Sequence, residues 1–105
     1  MVVKPKIWQY VFEHDKGICQ YCGCDLLSNF SVYWSATVDH IVARCENGSD
    51  EKENLVLSCP ACNGMLSRAN KLMTFEKRKE YVIERRNSEI SGYNEWCNLL
   101  RREKI

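Results

Sequence analysis

Two short cysteine pairs constrain this chain more than any other feature of its sequence. Each pair has the spacing Cys-x-x-Cys, and the pairs are Cys19 with Cys22 and Cys59 with Cys62. Cysteines at this spacing are typical ligands of a tetrahedral zinc ion, which four thiolates can saturate. The sequence therefore predicts one structural zinc per chain, bound by two segments that are far apart in sequence. Two variants of this ligand set stay open, in which Cys24 replaces Cys22 or His14 joins the site.

The cysteine count and the chain length decide between zinc and a disulfide framework. Seven cysteines in 105 residues could suit a secreted protein, but the count is odd and residues 1–5 form no apolar signal stretch. No run of residues approaches the length of a membrane span. We therefore expect a reduced, cytoplasmic protein that does not insert into membranes. A single domain over residues 1–105 would have a small core, so zinc binding would supply part of its folding free energy.

The net charge of +1 hides an uneven distribution along the chain. Residues 1–62 carry five Lys and Arg against eight Asp and Glu, whereas residues 63–105 carry ten against six. If the protein binds nucleic acid, the C-terminal part must supply most of the phosphate contacts. The alternative is that these charges are solvated helix faces. The candidate contacts are Arg44, Arg68, Lys71, Lys77, Arg78 and Lys79.

Hydrophobic patterns predict two strands and a helix in the middle of the chain. Alternating apolar residues predict a strand within 32–42, and the apolar run 55–57 would pair with it antiparallel. The polar loop between them contains the turn signal Asn47-Gly48. Pro60 fits the first position of a helix of about ten residues. The predicted fold class is therefore α+β, with a two-stranded hairpin and a helix around zinc.

Helical periodicity predicts helices on both sides of this core. An amphipathic helix is expected over residues 5–15, and Thr74 can cap a second helix that runs to Asn87. The inward residues of that second helix would be Phe75, Val82 and Ile83. A last helix is expected from about Gly92, with an apolar stripe that would either pack in the core or join two chains. The stripe consists of Tyr93, Trp96, Cys97 and Leu100.

Four polar residues between and beside the cysteine pairs could perform chemistry. Asp39 and His40 are adjacent, Asn54 precedes the second strand, and Asn63 lies in the first turn of the helix. Imidazole accepts a proton from water near neutral pH without large tuning. Carboxylate and carboxamide oxygens suit Mg²⁺ or Mn²⁺, which can offset charge on a phosphate. Since neighbouring strand residues point to opposite faces, Asp39 and His40 can serve one site only if the strand ends or bends there.

The order of these residues resembles the HNH nuclease family, in the variant with asparagine at the last position. The resemblance rests on Asp-His-Ile-Val at 39–42 and on the segment 54–63, which runs from one asparagine through the second cysteine pair to the other. It covers residues 19–70 and implies a ββα-metal core there, followed by a helical extension over 71–105. A bacterial or phage setting is also implied.

The resemblance implies a role for each of the four polar residues. His40 would be the general base that activates water, and Asp39 and Asn63 would bind a catalytic Mg²⁺ or Mn²⁺. Asn54 would pin the loop between the strands and hold His40 in orientation. Zinc on the four cysteines would be structural.

The chain departs from the family pattern in three places. The loop has Asn47-Gly48 where the family often carries two glycines. Ala43 stands where the family usually has proline, and Leu66 stands where it commonly has lysine. Loss of that lysine removes a phosphate contact, for which Arg68 or Lys71 could compensate.

Together these features predict a metal-dependent endonuclease that cleaves double-stranded DNA, by nicking. It would act as a monomer, as a homodimer or beside a partner protein that chooses the site. Two alternatives stay open: a non-catalytic zinc module that binds nucleic acid or protein, and an RNA-cleaving nuclease with the same chemistry.

Overall fold

The structure is a computed structural model and describes residues 5–103. It confirms the α+β class, with a two-stranded antiparallel sheet and flanking helices. Two short 3-10 turns, Arg44–Glu46 and Lys52–Asn54, lie in the loop between the strands. The helices and strands are α1 (Pro5–His14), α2 (Phe30–Ser35), β1 (Thr37–His40), β2 (Leu55–Ser58), α3 (Pro60–Met65) and α4 (Phe75–Glu103).

The hairpin is the centre of the fold. Its register runs from Thr37 opposite Ser58 to His40 opposite Leu55. The second edge of β2 bonds to the N-terminal segment: Gln20 donates its backbone N–H to the Leu57 carbonyl at 3.0 Å, and Asp15 Oδ2 accepts the Leu57 N–H at 2.8 Å. Residues 15–20 are therefore held beside the sheet.

The predicted strand over 32–42 is wrong in its first half, because residues 30–35 form helix α2. Asn29 caps this helix by accepting the N–H of Val32 at 2.9 Å, and the Ser35 hydroxyl donates to the Ser31 carbonyl at 2.7 Å. Trp34, which the alternating pattern assigned to a buried face, is 75% exposed. Local capping thus fixes a helix where apolar alternation suggested a strand.

Helix α3 begins at Pro60 as predicted but has six residues rather than about ten. Two hydrogen bonds at its end compete with the regular helical bonds. The Leu66 N–H bonds to the Asn63 carbonyl at 3.2 Å, and the Ser67 hydroxyl donates to the Gly64 carbonyl at 2.9 Å. The side chain of Leu66 is buried in the core. The short helix directs the chain away from the zinc ligands towards α4.

The two helices predicted in the C-terminal part are one helix of 29 residues. Thr74 caps it as predicted, accepting the Lys77 N–H at 3.2 Å. Neither Asn87 nor Gly92 ends it, because an interior glycine costs a helix only about 1 kcal/mol and a break needs other partners for the backbone groups. Phe75 and Val82 face the core as predicted, whereas Ile83 is 44% exposed.

The apolar stripe near the end of α4 does not enter the core. Tyr93 is 64% and Trp96 is 62% exposed, and Leu100 is also exposed. On a helix of 3.6 residues per turn these residues lie on the same face as Phe75 and Val82, which pack against the body. One face of α4 is therefore covered at its start and uncovered towards its end.

The core lies between the hairpin, the first cysteine pair and the start of α4. Its buried apolar members include Val11, Tyr21, Leu26, Leu55, Leu57, Leu66 and Val82. Within residues 5–103, no helix combines the length and the apolar character that a membrane span requires.

Candidate zinc and catalytic centres

Five thiols meet where the first cysteine pair approaches the start of α3. The sulfurs of Cys19, Cys22, Cys24 and Cys59 all lie within 4.8 Å of one another. Cys62 is fully buried beside them, its backbone N–H bonds to Cys59 Sγ at 3.4 Å, and its thiol interacts with Cys19 and Cys59. Three of the four predicted ligands therefore lie in one set with Cys24, and Cys62 adjoins that set through Cys19 and Cys59.

The thiols perturb one another strongly. Hydrogen bonds from Cys59 and Cys62 lower the pKa of Cys19, while the same contacts with Cys19 and Cys59 raise the pKa of Cys62. Burial and a hydrogen bond with Cys22 raise the pKa of Cys24 to about 12. The cluster by itself therefore favours one thiolate and keeps its neighbours protonated. A divalent cation removes that penalty, and this sulfur set fits Zn²⁺.

Cys24 and His14 were the open variants of the ligand set, and the structure treats them differently. Cys24 belongs to the thiol cluster but is the exposed member of it. The side chain of His14 is 66% exposed, bonds to Asp15 and stacks on Tyr10. His14 is thus not part of the cluster, so that variant is wrong.

An arginine that the sequence analysis did not single out also touches the cluster. Arg86 of α4 donates from Nη1 to Cys62 Sγ at 3.5 Å. Burial works to lower the pKa of Arg86, but the nearby cysteine charges outweigh it and the pKa is raised. This guanidinium would offset part of the negative charge that four thiolates on a bound zinc ion would carry.

The second centre is an open cavity of about 210 Å³ beside the end of β1. Asp39 and His40 both line it, because β1 ends at His40 and the chain turns there. Asn63 lines the opposite side from α3, next to Asn70. The structure thus brings three of the four predicted polar residues to one cavity.

His40 is held by a carboxylate that the sequence analysis missed. His40 Nε2 lies 2.7 Å from Asp50 Oδ1, and the histidine side chain is 12% exposed. Asp50 is held in turn by Arg44, whose Nε donates to the same oxygen at 2.9 Å and whose Nη2 pairs with Oδ2. The hydrogen bonds from Arg44 and then His40 lower the pKa of Asp50, so this carboxylate stays ionised near neutral pH. A polar loop rich in turn residues gives no signal that would select Asp50.

Asn54 fastens the loop that follows His40. Its side-chain amide donates to the carbonyls of Val42 at 2.9 Å and Ser49 at 2.8 Å, and its Oδ1 accepts the Val42 N–H at 2.8 Å. The backbone carbonyl of Asn54 accepts the Ile41 N–H at 2.8 Å. These bonds tie the two ends of the loop together directly after His40.

Asp39 is held at one of its two oxygens. Tyr21 OH donates to Oδ2 at 2.7 Å, and Arg78 Nη2 donates to the same atom at 2.9 Å. No described residue donates a hydrogen bond to Oδ1. One carboxylate oxygen is thus engaged by protein, and the other can bind a ligand in the cavity that Asp39 lines.

The prediction of Arg78 as a nucleic-acid contact is wrong. Arg78 is 3% exposed, and its guanidinium bonds to Tyr21, Asp39 and the Leu72 carbonyl. The other predicted contacts lie at the surface to different degrees. Arg68 and Lys77 are exposed, Lys71 pairs with Glu46 at 2.8 Å, and Lys79 lies over the Phe75 ring.

Comparison of the sequence with known protein families gives a match for one segment of the chain. Residues 19–68 match the family model described as HNH endonuclease, and this segment contains both cysteine pairs and all four predicted polar residues. No curated protein and no solved structure matches the chain.

Proposed function

We propose that this chain, whose residues 19–68 match the HNH endonuclease family model, hydrolyses phosphodiester bonds of DNA with a divalent metal ion. The observation that carries this proposal is the meeting of Asp39, His40 and Asn63 in one open cavity. Such a set offers a base and two oxygen ligands at one place. The thiol cluster beside it would hold one structural zinc.

The residues in the cavity fit a hard cation. Asp39 Oδ1 accepts no hydrogen bond from a described residue, and the Asn63 side chain makes none with the described part of the protein. Oxygen donors of this kind, few in number and open to solvent, suit Mg²⁺ or Mn²⁺. When bound, such an ion would offset negative charge on the phosphate oxygens.

The contact with Asp50 selects the atom of His40 that accepts the proton. Since Asp50 is ionised, the neutral imidazole donates from Nε2 and keeps its lone pair on Nδ1. We therefore assign Nδ1 as the base that takes a proton from water. The carboxylate then stabilises the imidazolium that forms, and Asn54 keeps the loop that carries Asp50 in place.

Removal of His40 tests this function directly. We expect His40→Ala to lower the rate of plasmid nicking by about 10²-fold or more in Mg²⁺, because a general base contributes about that factor. DNA affinity and zinc content should change little, since the base acts mainly in the transition state. The matched control is His14→Ala, which removes the other histidine from an exposed position. Equal nicking by His40→Ala and wild type would refute the hydrolytic role and favour a non-catalytic zinc module.

A specific observation keeps that non-catalytic module as the second candidate. Leu66, at the position where the family commonly has a phosphate-binding lysine, is buried and points into the core. Phosphate contacts would then come from other basic residues, of which Lys79 is half-buried and the rest are exposed. The candidates are Arg68, Lys71, Lys77 and Lys79.

The uncovered face of α4 supports assembly of two copies of the chain. Ile90, Tyr93, Trp96 and Leu100 are each about half exposed or more. A symmetric pair of these faces would bury apolar surface from both chains, and a specific interface needs about 1,000 Å² or more in total. One catalytic cavity per chain would nick one strand, and two would address both. Sedimentation equilibrium of the full chain at micromolar concentration should detect a dimer, and a monomer at all concentrations would exclude it.

A further inference from the structure

We infer that Tyr21 and Arg78 are positioning residues that fix Asp39 for metal binding. Through Asp39 they would link the first cysteine pair and α4 to the catalytic cavity. This inference rests on the proposed function, because it concerns the orientation of a proposed metal ligand. Neither residue touches the reacting atoms. Their action would pass through the carboxylate of Asp39.

The geometry converges on a single oxygen atom. Tyr21 OH and Arg78 Nη2 both donate to Asp39 Oδ2, at 2.7 and 2.9 Å. The two donors also bond to each other, since Arg78 Nε donates to Tyr21 OH at 3.1 Å. Three hydrogen bonds therefore close a ring that consists of Oδ2, the Tyr21 hydroxyl and the Arg78 guanidinium. A carboxylate held in this way cannot rotate freely, and its other oxygen, Oδ1, accepts no hydrogen bond from a described residue beside the cavity that Asp39 lines.

Tyr21 connects this ring to the thiol cluster. It lies between Cys19 and Cys22 in the sequence, is 1% exposed, and stacks on Phe75 with 5.4 Å between the ring centroids. Any shift of the two flanking cysteines would move this hydroxyl.

Arg78 connects the ring to α4. It lies in the first turns of that helix, and its Nη1 is anchored on the Leu72 carbonyl at 3.2 Å. Together with the bonds to Tyr21 and Asp39, this bond engages all three guanidinium nitrogens of Arg78, which lines the catalytic cavity together with Asp39.

A purely structural role is the competing explanation. A buried Arg78–Asp39 pair could serve only to dock α4 on the body, and breaking it would then destabilise the fold without a selective effect on metal. A positioning role predicts a different result, namely a selective loss of metal affinity. Loss of a group that orients a metal ligand typically costs 10–100-fold in metal affinity or activity, and high metal concentration should recover the activity.

The most informative variant is Tyr21→Phe, because it removes one hydroxyl and no charge. Binding of Mn²⁺ to the zinc-loaded full chain would be measured without DNA, by electron paramagnetic resonance of free Mn²⁺. We expect Tyr21→Phe to bind Mn²⁺ about tenfold more weakly than wild type. Asp39→Ala defines the site by abolishing this binding. The matched control is Tyr33→Phe, a half-exposed tyrosine that should bind like wild type.

The outcomes separate the inference from the proposed function. If wild type shows no Asp39-dependent Mn²⁺ binding, the metal site of the proposed function fails and the positioning role fails with it. If wild type binds and Tyr21→Phe binds equally well, only the positioning role is overturned. If Tyr21→Phe loses zinc or fails to fold, Arg78→Lys repeats the measurement, since it keeps the charge and loses the fork. Mn²⁺ affinity of Arg78→Lys equal to wild type would overturn the positioning role as well.

Discussion

The two candidate metal centres of this protein differ in nearly every physical respect. The thiol cluster is built of soft donors, is largely buried and holds one sulfur more than a tetrahedral ion needs. The cavity at the end of β1 is built of oxygen donors, is open and holds fewer donors than Mg²⁺ or Mn²⁺ takes. A centre that the protein saturates can only support the fold, whereas a centre with open positions can take water and phosphate. The difference teaches that the number of ligands, as much as their type, separates structure from chemistry here.

The largest effect should follow from breaking the saturated centre. Cys59→Ser should abolish zinc binding and folding, because a structural zinc contributes about 10 kcal/mol or more and a whole domain is stable by about 5–15 kcal/mol. Metal analysis and circular dichroism measure this. Cys45→Ser, which removes an exposed cysteine outside the cluster, is the control.

The surplus sulfur sharpens the same prediction. Cys24→Ser should retain one zinc per chain and a cooperative thermal transition, because Cys19, Cys22, Cys59 and Cys62 still suffice. Loss of zinc from this variant would show that Cys24 is a ligand and that one of the predicted four is not.

A smaller effect should follow from removing one ligand of the open centre. Asn63→Ala should keep zinc and fold but lower nicking on the order of 10²-fold, since a bound cation contributes several kcal/mol to the transition state. Asn63→His should retain much of the activity, particularly with Mn²⁺, because imidazole can also bind the metal. Equal full activity of the alanine variant would place the metal ion elsewhere.

The smallest effect should come from the carboxylate behind His40. Asp50→Asn keeps an acceptor for Nε2 but loses the charge that stabilises the imidazolium, so we expect kcat to fall about tenfold. Glu51→Gln, a neighbouring loss of charge, is the control. Because the pKa of Asp50 is lowered, its ion pairs are fully formed above the ordinary carboxyl range and are lost only as pH falls through the lowered value. Asp50 itself should therefore add no ionisation step to the pH profile of nicking around neutral pH, which a comparison of wild type with Asp50→Asn over that range measures.

Local signals predicted the elements that hold the two centres. The Cys-x-x-Cys spacing, the apolar run 55–57 and the proline at the start of α3 each act over a few residues, and the hairpin and the thiol cluster follow from them. The strand predicted within 32–42 was wrong only in its first half, where a local signal for a helix acted instead. Apolar alternation there competed with a cap at Asn29 that the pattern does not include.

The residues that surround Asp39 and His40 could not be predicted in this way. Tyr21 lies 18 positions from Asp39 and Arg78 lies 39 positions from it, while Asp50 lies ten positions from His40 across an irregular loop. Only the tertiary fold decides which distant side chain reaches a given oxygen. The same limit explains why the burial of Arg78 was not predicted, since its basic character suggested a contact at the surface.

The bonds along the second edge of β2 have a consequence for the behaviour of the protein in solution. A two-stranded sheet has two edges, and an unpaired edge offers its N–H and C=O groups to strands of other molecules. At Leu57, both backbone groups on this edge are already taken, by Gln20 and by the Asp15 carboxylate. Intermolecular strand addition along β2 would first have to displace the segment that carries the first cysteine pair. Metal binding at the neighbouring thiols would therefore also oppose association along the β2 edge.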